Sequence, residues 1–214
     1  MLGIIIGIAA VIAVIAVGLG ATVMIQTQMS SLGDNLMMIS PGSTFRGGFH
    51  HGAGTRSTLT AQDGEAILEE CLYVKSITPV IRSGGQLVYK EKNWPGRIEG
   101  VAPSYLEIRN WQVEKGCFLA ESDVRSAIKV CVLGATISKE LFDNEDPIGK
   151  MIRIKNMPFR IIGVLEKKGS TAWGRDQDDT VIMPWTTVRR VIQSSPFNDV
   201  NRLVGSLVSI KIFE

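Results

Sequence analysis

The chain has 214 residues with 23 Lys and Arg against 21 Asp and Glu, a net charge of +2, and it holds only two histidines and three cysteines. The near balance of charge, with no basic stripe, argues against a nucleic-acid binder, and three scattered cysteines without a CxxC argue against a disulfide framework. No charged side chain occurs before Asp34, so the chain divides into a lipid-like head and a water-like body long enough for one domain or two small subdomains.

In chain order, Leu2 to Ile25 is a run of apolar residues, Gly and Thr. Its 24 residues would make about 36 Å of helix at ~1.5 Å per residue, enough for a bilayer core of about 30 Å. A secretory signal would carry a basic start, a shorter apolar core and a small-residue cleavage site. The expectation is therefore a transmembrane helix, and Gly3–Gly7 with Ala9–Ala13 provide small-xxx-small spacing for a neighbouring helix. Asn35–Ser40 reads as a strand closed by Pro41-Gly42, and the Gly-rich Ser43–Ser57 as a mobile loop.

Thr60 and Asp63 form a capping box, and Ala66, Ile67, Leu68 and Cys71 suit a helix of about three turns behind it. Ile77–Tyr89 reads as two extended runs around a turn at Ser83-Gly84-Gly85, followed by a strand at Arg97–Val101 and a short helix at Pro103–Arg109. Ile128–Leu133 is a strand, and Ala135–Phe142 a helix with Ile137 and Leu141 on one face. Met151–Ile154 and Phe159–Ile162 form a hairpin around Lys155–Pro158. Thr180–Met183 is a strand, Pro184 opens a helix over Trp185–Ile192, and Leu207–Phe213 is a last strand. Interleaved strands and helices joined by short hairpins predict an α+β body.

Motifs for catalysis are weak. Gly149-Lys150 is the sole Gly-Lys pair, but Met151 follows it and Asn144 stands where a P-loop needs its first glycine, so no ATP site is expected. Ser126 and Lys129 match SxxK without its companion motifs, and Ser126 runs into a strand by this reading. His50 and His51 sit in the Gly-rich loop, short of the three or four ligands of a metal site. Asp176, Asp178 and Asp179 could bind Ca²⁺, although a polar turn with carboxylates on backbone N–H groups fits better. Cys71, Cys117 and Cys131 read as buried small hydrophobes. Trp94, Trp111, Trp173 and Trp185 are candidates for seams or partner contacts, with Trp173 the one expected to be exposed. The residues thus supply no catalytic, cofactor or metal site, and the chain is not expected to be an enzyme by itself.

The order of several blocks resembles the MacB-type ABC-transporter permeases over nearly the whole chain. These are LGIIIGIAAVIAVIAVGLGA (Leu2–Ala21), LGDNLMMISPG (Leu32–Gly42), LTAQD (Leu59–Asp63) and ITPVIRSGGQLVY (Ile77–Tyr89). EGVAPSYLEIRNWQVEKG (Glu99–Gly116), VCVLG (Val130–Gly134), LFDNEDPIGKMIRIKNMPFRIIGVLEKKG (Leu141–Gly169) and DQDDTVIMP (Asp176–Pro184) continue the series. Cys117 departs from it, standing where the family has a basic residue.

The resemblance implies a transmembrane helix and stalk over 1–33, its start cytoplasmic and in the bacterial inner membrane. It also implies an extracytoplasmic body with a porter-like α/β subdomain (34–104 plus 198–214) and a β-rich inserted subdomain (105–197). Such permeases work as homodimers beside an ATP-binding subunit or domain that supplies ATP and Mg, and many pair with a periplasmic adaptor and an outer-membrane duct. The expected function is mechanical, coupling cytoplasmic ATP hydrolysis to movement of the outer domain. The alternative is a membrane-tethered extracytoplasmic binding module without transport coupling.

Overall fold

The computed structural model describes residues 36–42, 45–46, 49–50, 59–143, 145–171, 174–194 and 199–208, with 3, 6–7, 10–18 and 20 of the apolar head. Residues 10–18 are helical (α1) and their apolar side chains, Val11 to Val17, face outward. The rest of the Leu2–Ile25 stretch falls largely outside the described residues, and among those described no helix is long and apolar enough to cross a membrane.

In the body, β1 (Leu36–Ile39) leads past two paired dipeptides, β2 (Phe45–Arg46) and β3 (Phe49–His50), to α2 (Ala61–Glu70). The Gly-rich stretch thus contains a short hairpin where only loop was expected. At α2 the capping box forms: Asp63 accepts from the Thr60 N–H at 2.7 Å, and the Thr60 hydroxyl accepts from the Asp63 N–H at 3.3 Å.

The chain then enters β4 (Val74–Tyr89), a single strand of 16 residues. No turn occurs at Ser83–Gly85; the reversal is at Lys90-Glu91, before β5 (Lys92–Val101). The glycines answer a packing need instead. Gly85 lies opposite Gly96, and added Cβ atoms would stand 2.9 Å from Ile98 Cδ1 and 2.7 Å from Leu87 Cδ1 respectively. Their bare backbones let those two side chains fold across the ladder.

After α3 (Tyr105–Ile108) come β6 (Val113–Gly116) and α4 (Glu121–Ser126), neither of which the sequence predicted. Asp123 caps α4 by accepting from the Ala120 N–H at 2.9 Å, and left-handed Ala127 ends it. β7 (Val130–Leu133), α5 (Ala135–Phe142), β8 (Met151–Ile154) and β9 (Met157–Leu165) follow. The β8–β9 turn is Lys155-Asn156 alone, both at positive φ as the two-residue type I′ geometry requires, so Met157 and Pro158 belong to β9. The described chain closes with β10 (Thr180–Pro184), α6 (Trp185–Thr187) widening into a π-helical turn over Val188–Gln193, and β11 (Arg202–Leu207). Most of the strand expected at Leu207–Phe213 lies outside the described residues, and β11 begins five residues earlier.

Pairing gives the fold its form. The first half of β4 joins β11, which also holds β1, while the second half pairs with β5. From there the ladder runs β5–β10–β7–β9–β8 and returns to β4 through Leu87↔Ile154, which closes a six-stranded ring. Strands of the 34–104 stretch and of the 105–197 stretch therefore share one sheet through β5–β10 and β4–β8.

Period-two alternation fills both faces. Ile98, Cys131, Leu133, Ile152, Ile154, Phe159, Ile161, Val181 and Met183 join Ile137, Leu141 and Phe142 of α5 in one core. Val101, Val130, Val132, Ile182 and Leu165 pack on Tyr105, Ile108 and Trp111 in another. Leu165 should follow Ile161 by parity. It does not, because β9 carries an extra residue at Ile162, where the β7 register slips between Cys131↔Ile161 and Val132↔Gly163.

Candidate functional site

The described part of the segment Glu166–Asp179 is held by the three aspartates singled out in the sequence. Asp178 is fully buried, and its two oxygens accept from the backbone N–H groups of Lys168 and Gly169, each at 2.8 Å. Asp176 accepts from the Thr136 hydroxyl at 2.7 Å and the Asp178 N–H at 2.9 Å. Asp179 accepts from the Trp94 indole N–H at 2.9 Å. Each carboxylate is thus turned to its own donors, and no shared oxygen cage of the kind Ca²⁺ needs is formed. Arg97 completes the seam by donating to the carbonyls of Asp176 and Asp179.

Beside this loop lies a cavity of about 150 Å³ between β4–β5, α3, Thr171 and residues 175–180. Arg82, Arg97, Arg109 and Arg175 line it together with Glu99 and Asp176. Glu99, itself buried, takes Arg82 Nε at 3.2 Å and the Tyr105 hydroxyl at 2.7 Å. Burial, and then the Glu99 charge, push the Tyr105 phenol well above its ordinary range, so it is a donor here at any ordinary pH. Arg109 reaches the Gln177 side-chain oxygen at 3.3 Å.

Lys168 stands next to this cluster, over the Trp111 ring and donating to the Arg109 carbonyl. Desolvation first, and then the Arg109 charge, bring its pKa down to about 8 from 10.5. The sign follows. Below about pH 8 the folded state carries a disfavoured cation, and above 10.5 neither state carries the charge, so this group's contribution to stability rises between those values. In urea unfolding, the midpoint of Lys168→Met relative to the parent should therefore fall as pH goes from 8 to 10.5.

Other candidates disperse. Ser126 ends α4 and the left-handed Ala127 turns the chain before Lys129, so SxxK does not lie along a helix. His50 is in β3, while His51 and Trp173 lie outside the described residues, among which no group of three or more metal-ligating side chains occurs. Cys131 is buried and burial raises its thiol pKa, but Cys71 and Cys117 are exposed, contrary to expectation, since both lie outside the paired strands. Trp111 is buried and donates to the Glu166 carbonyl at 2.7 Å, and Trp185 lies half-buried under Arg189. Sequence reasoning missed the four arginines, which are spread over 82–175 and carry no local signal.

The same mixed α/β fold occurs in solved extracytoplasmic domains of ABC-type permeases. The periplasmic region of MacB from Actinobacillus actinomycetemcomitans superposes with a TM-score of 0.68 at 26% identity, covering 85% of this chain and 78% of that one. The extracellular domain of the noncanonic ABC-type transporter YknZ from Gram-positive bacteria shares the fold, with a TM-score of 0.60 at 18% identity over 71% of this chain and 74% of that one. The family model of the MacB-like periplasmic core domain matches residues 1–210.

Macrolide export ATP-binding/permease proteins MacB are similar along the sequence. That of Syntrophobacter fumaroxidans is 43% identical over 99% of the chain and 30% of its own length, and that of Rhodopirellula baltica is 40% identical over 91% and 28%. The chain belongs to the MacB-like periplasmic core domain family of ABC-type permeases. It spans less than a third of the length of these relatives.

Proposed function

We propose that this chain is the mechanical element of an ABC-type efflux transporter, moved by ATP hydrolysis in another domain or subunit. The apolar stretch Leu2–Ile25 is its first span, with the body on the extracytoplasmic side. The transporter acts as a homodimer, with a periplasmic adaptor and an outer-membrane duct as further partners.

The observation that carries this reading is the continuity of β4. Leu36 of β1, Ser206 of β11 and Ser76 of β4 lie side by side, so the connections to residues 1–35 and 209–214 leave from one end of the sheet. Leu72, Tyr73 and Val208 are exposed at that end, and the Val208 N–H is bonded to the Tyr73 carbonyl at 2.9 Å. An aromatic and two aliphatics suit a membrane-facing end. From there β4 runs 16 residues, roughly 50 Å at ~3.3 Å each, to the Lys90-Glu91 tip, and its second half is a stave of the closed ring. A displacement applied at Leu36 enters the β1–β11–β4 ladder and is carried along one unbroken strand. The tethered binding module needs no such continuity, and no observation favours it.

Inserting flexible Gly-Ser residues between Ser30 and Ser31 tests this in the complete transporter that carries the chain. Export should be lost while membrane insertion and ATP hydrolysis persist. Undiminished export would refute the mechanical reading.

A further inference from the structure

We propose that the arginine-lined cavity between β4–β5, α3, Thr171 and residues 175–180 is a binding site for a small oxyanion, a carboxylate or phosphate group. Charge is the first reason. Four guanidinium groups, Arg82, Arg97, Arg109 and Arg175, line the space against two carboxylates, Glu99 and Asp176. Glu99 is paired with Arg82 and bonded by Tyr105, and Asp176 is turned to the Thr136 hydroxyl and the Asp178 N–H, so an excess of positive charge remains in the lining. The hydrogen bonds recorded for Arg97 go to neutral carbonyls, which orient the guanidinium without cancelling its charge. A guanidinium fork matches carboxylate or phosphate geometry better than any other common ligand.

The second reason is independent. Thr180 is 3% exposed and lines the cavity, and its hydroxyl has no hydrogen-bond partner among the described residues. A buried hydroxyl left unsatisfied costs free energy, which an acceptor oxygen in the cavity would recover. The third reason is space. About 150 Å³, against about 30 Å³ for a water molecule, accommodates an oxyanion of four or five heavy atoms. The site adjoins β4 at Arg82, and ligand there would tie Arg175 and Thr180 to the β4–β5 pair.

The test is thermal unfolding of the full 214-residue chain in neutral detergent, titrated with inorganic phosphate or sodium acetate at constant ionic strength set with chloride. The expected result is a saturable rise in midpoint with phosphate, acetate or both, and none with chloride. Which of the two acts identifies the oxyanion. Thr180→Val, which forfeits no recorded hydrogen bond, and Arg175→Gln, at an exposed position, should each weaken binding roughly 10-fold, the size of one charge-assisted hydrogen bond. Should Thr180→Val fail to fold, Arg175→Gln carries the comparison alone. Equal response to phosphate, acetate and chloride would overturn the proposal, as would a saturable rise that survives the substitutions unchanged. In either case the cavity holds water only.

Discussion

Replacing Asp178 by alanine should lower the unfolding free energy by about 3 kcal/mol, a drop of ~1–2 M in urea midpoint. The carboxylate is fully buried and takes two backbone N–H groups at 2.8 Å, those of Lys168 and Gly169. Each such charge-assisted bond contributes roughly 1.5–3 kcal/mol, and because Lys168 and Gly169 are only half-buried, water recovers part of the loss. Asp178→Asn should cost less, about 2 kcal/mol, since one oxygen remains while an amide N–H₂ is turned on a backbone donor. A loss below ~0.5 kcal/mol for the alanine variant would mean that the 166–179 loop is held by other contacts.

The second large effect is expected at Gly163. Gly163 of β9 lies opposite Gly116 of β6, and the two strands approach so closely that neither has room for a methyl group. A Cβ on Gly163 would stand 2.3 Å from the Cys117 carbonyl oxygen, and one on Gly116 would stand 2.2 Å from the Ile162 carbonyl oxygen. Backbone oxygens cannot rotate away as a side chain can, so Gly163→Ala must separate β6 from β9. The expected cost is about 3 kcal/mol, at the upper end for overpacking. Gly84→Ala is the matched control, in a central strand with nothing within 4 Å of the added atom and no positive φ. It should be neutral or slightly stabilising in the same denaturant measurement. Similar losses from both would refute the close-approach account.

These two sites also show what the sequence could disclose. Thr60 and Asp63 announced α2, and Ile137 with Leu141 announced α5, because capping and i, i+4 spacing act within a few residues. Leu87↔Ile154, which closes the ring, joins residues 67 positions apart, and no local pattern encodes that pairing. Ser83-Gly84-Gly85 misled for a related reason: glycine serves turns and close packing alike, and its partner Gly96 is a neighbour only after β5 has folded back. The bulge at Ile162 reversed the parity of β9, and the adjoining Gly163 reads alike as a bulge or a close approach. The polar turn at Asp176–Asp179 could be read from composition, but the cavity could not, since Arg82, Arg97, Arg109 and Arg175 come from four separate elements. Family resemblance supplied what these residues could not, the likeness to a periplasmic permease domain, because it reads the order of many short blocks at once.

The closed circuit of β4, β5, β10, β7, β9 and β8 has a mechanical corollary. An open sheet can shed an outer strand and keep the rest, but a hoop has no outermost member to peel. Freeing any one of its strands must break two ladders together, so load is shared around the circumference. The free flank at β1, by contrast, is attached along one side alone among the described residues and can yield first. Stiffness is thereby concentrated in the six-stranded circuit, and the β1 flank is the softer part of the described body.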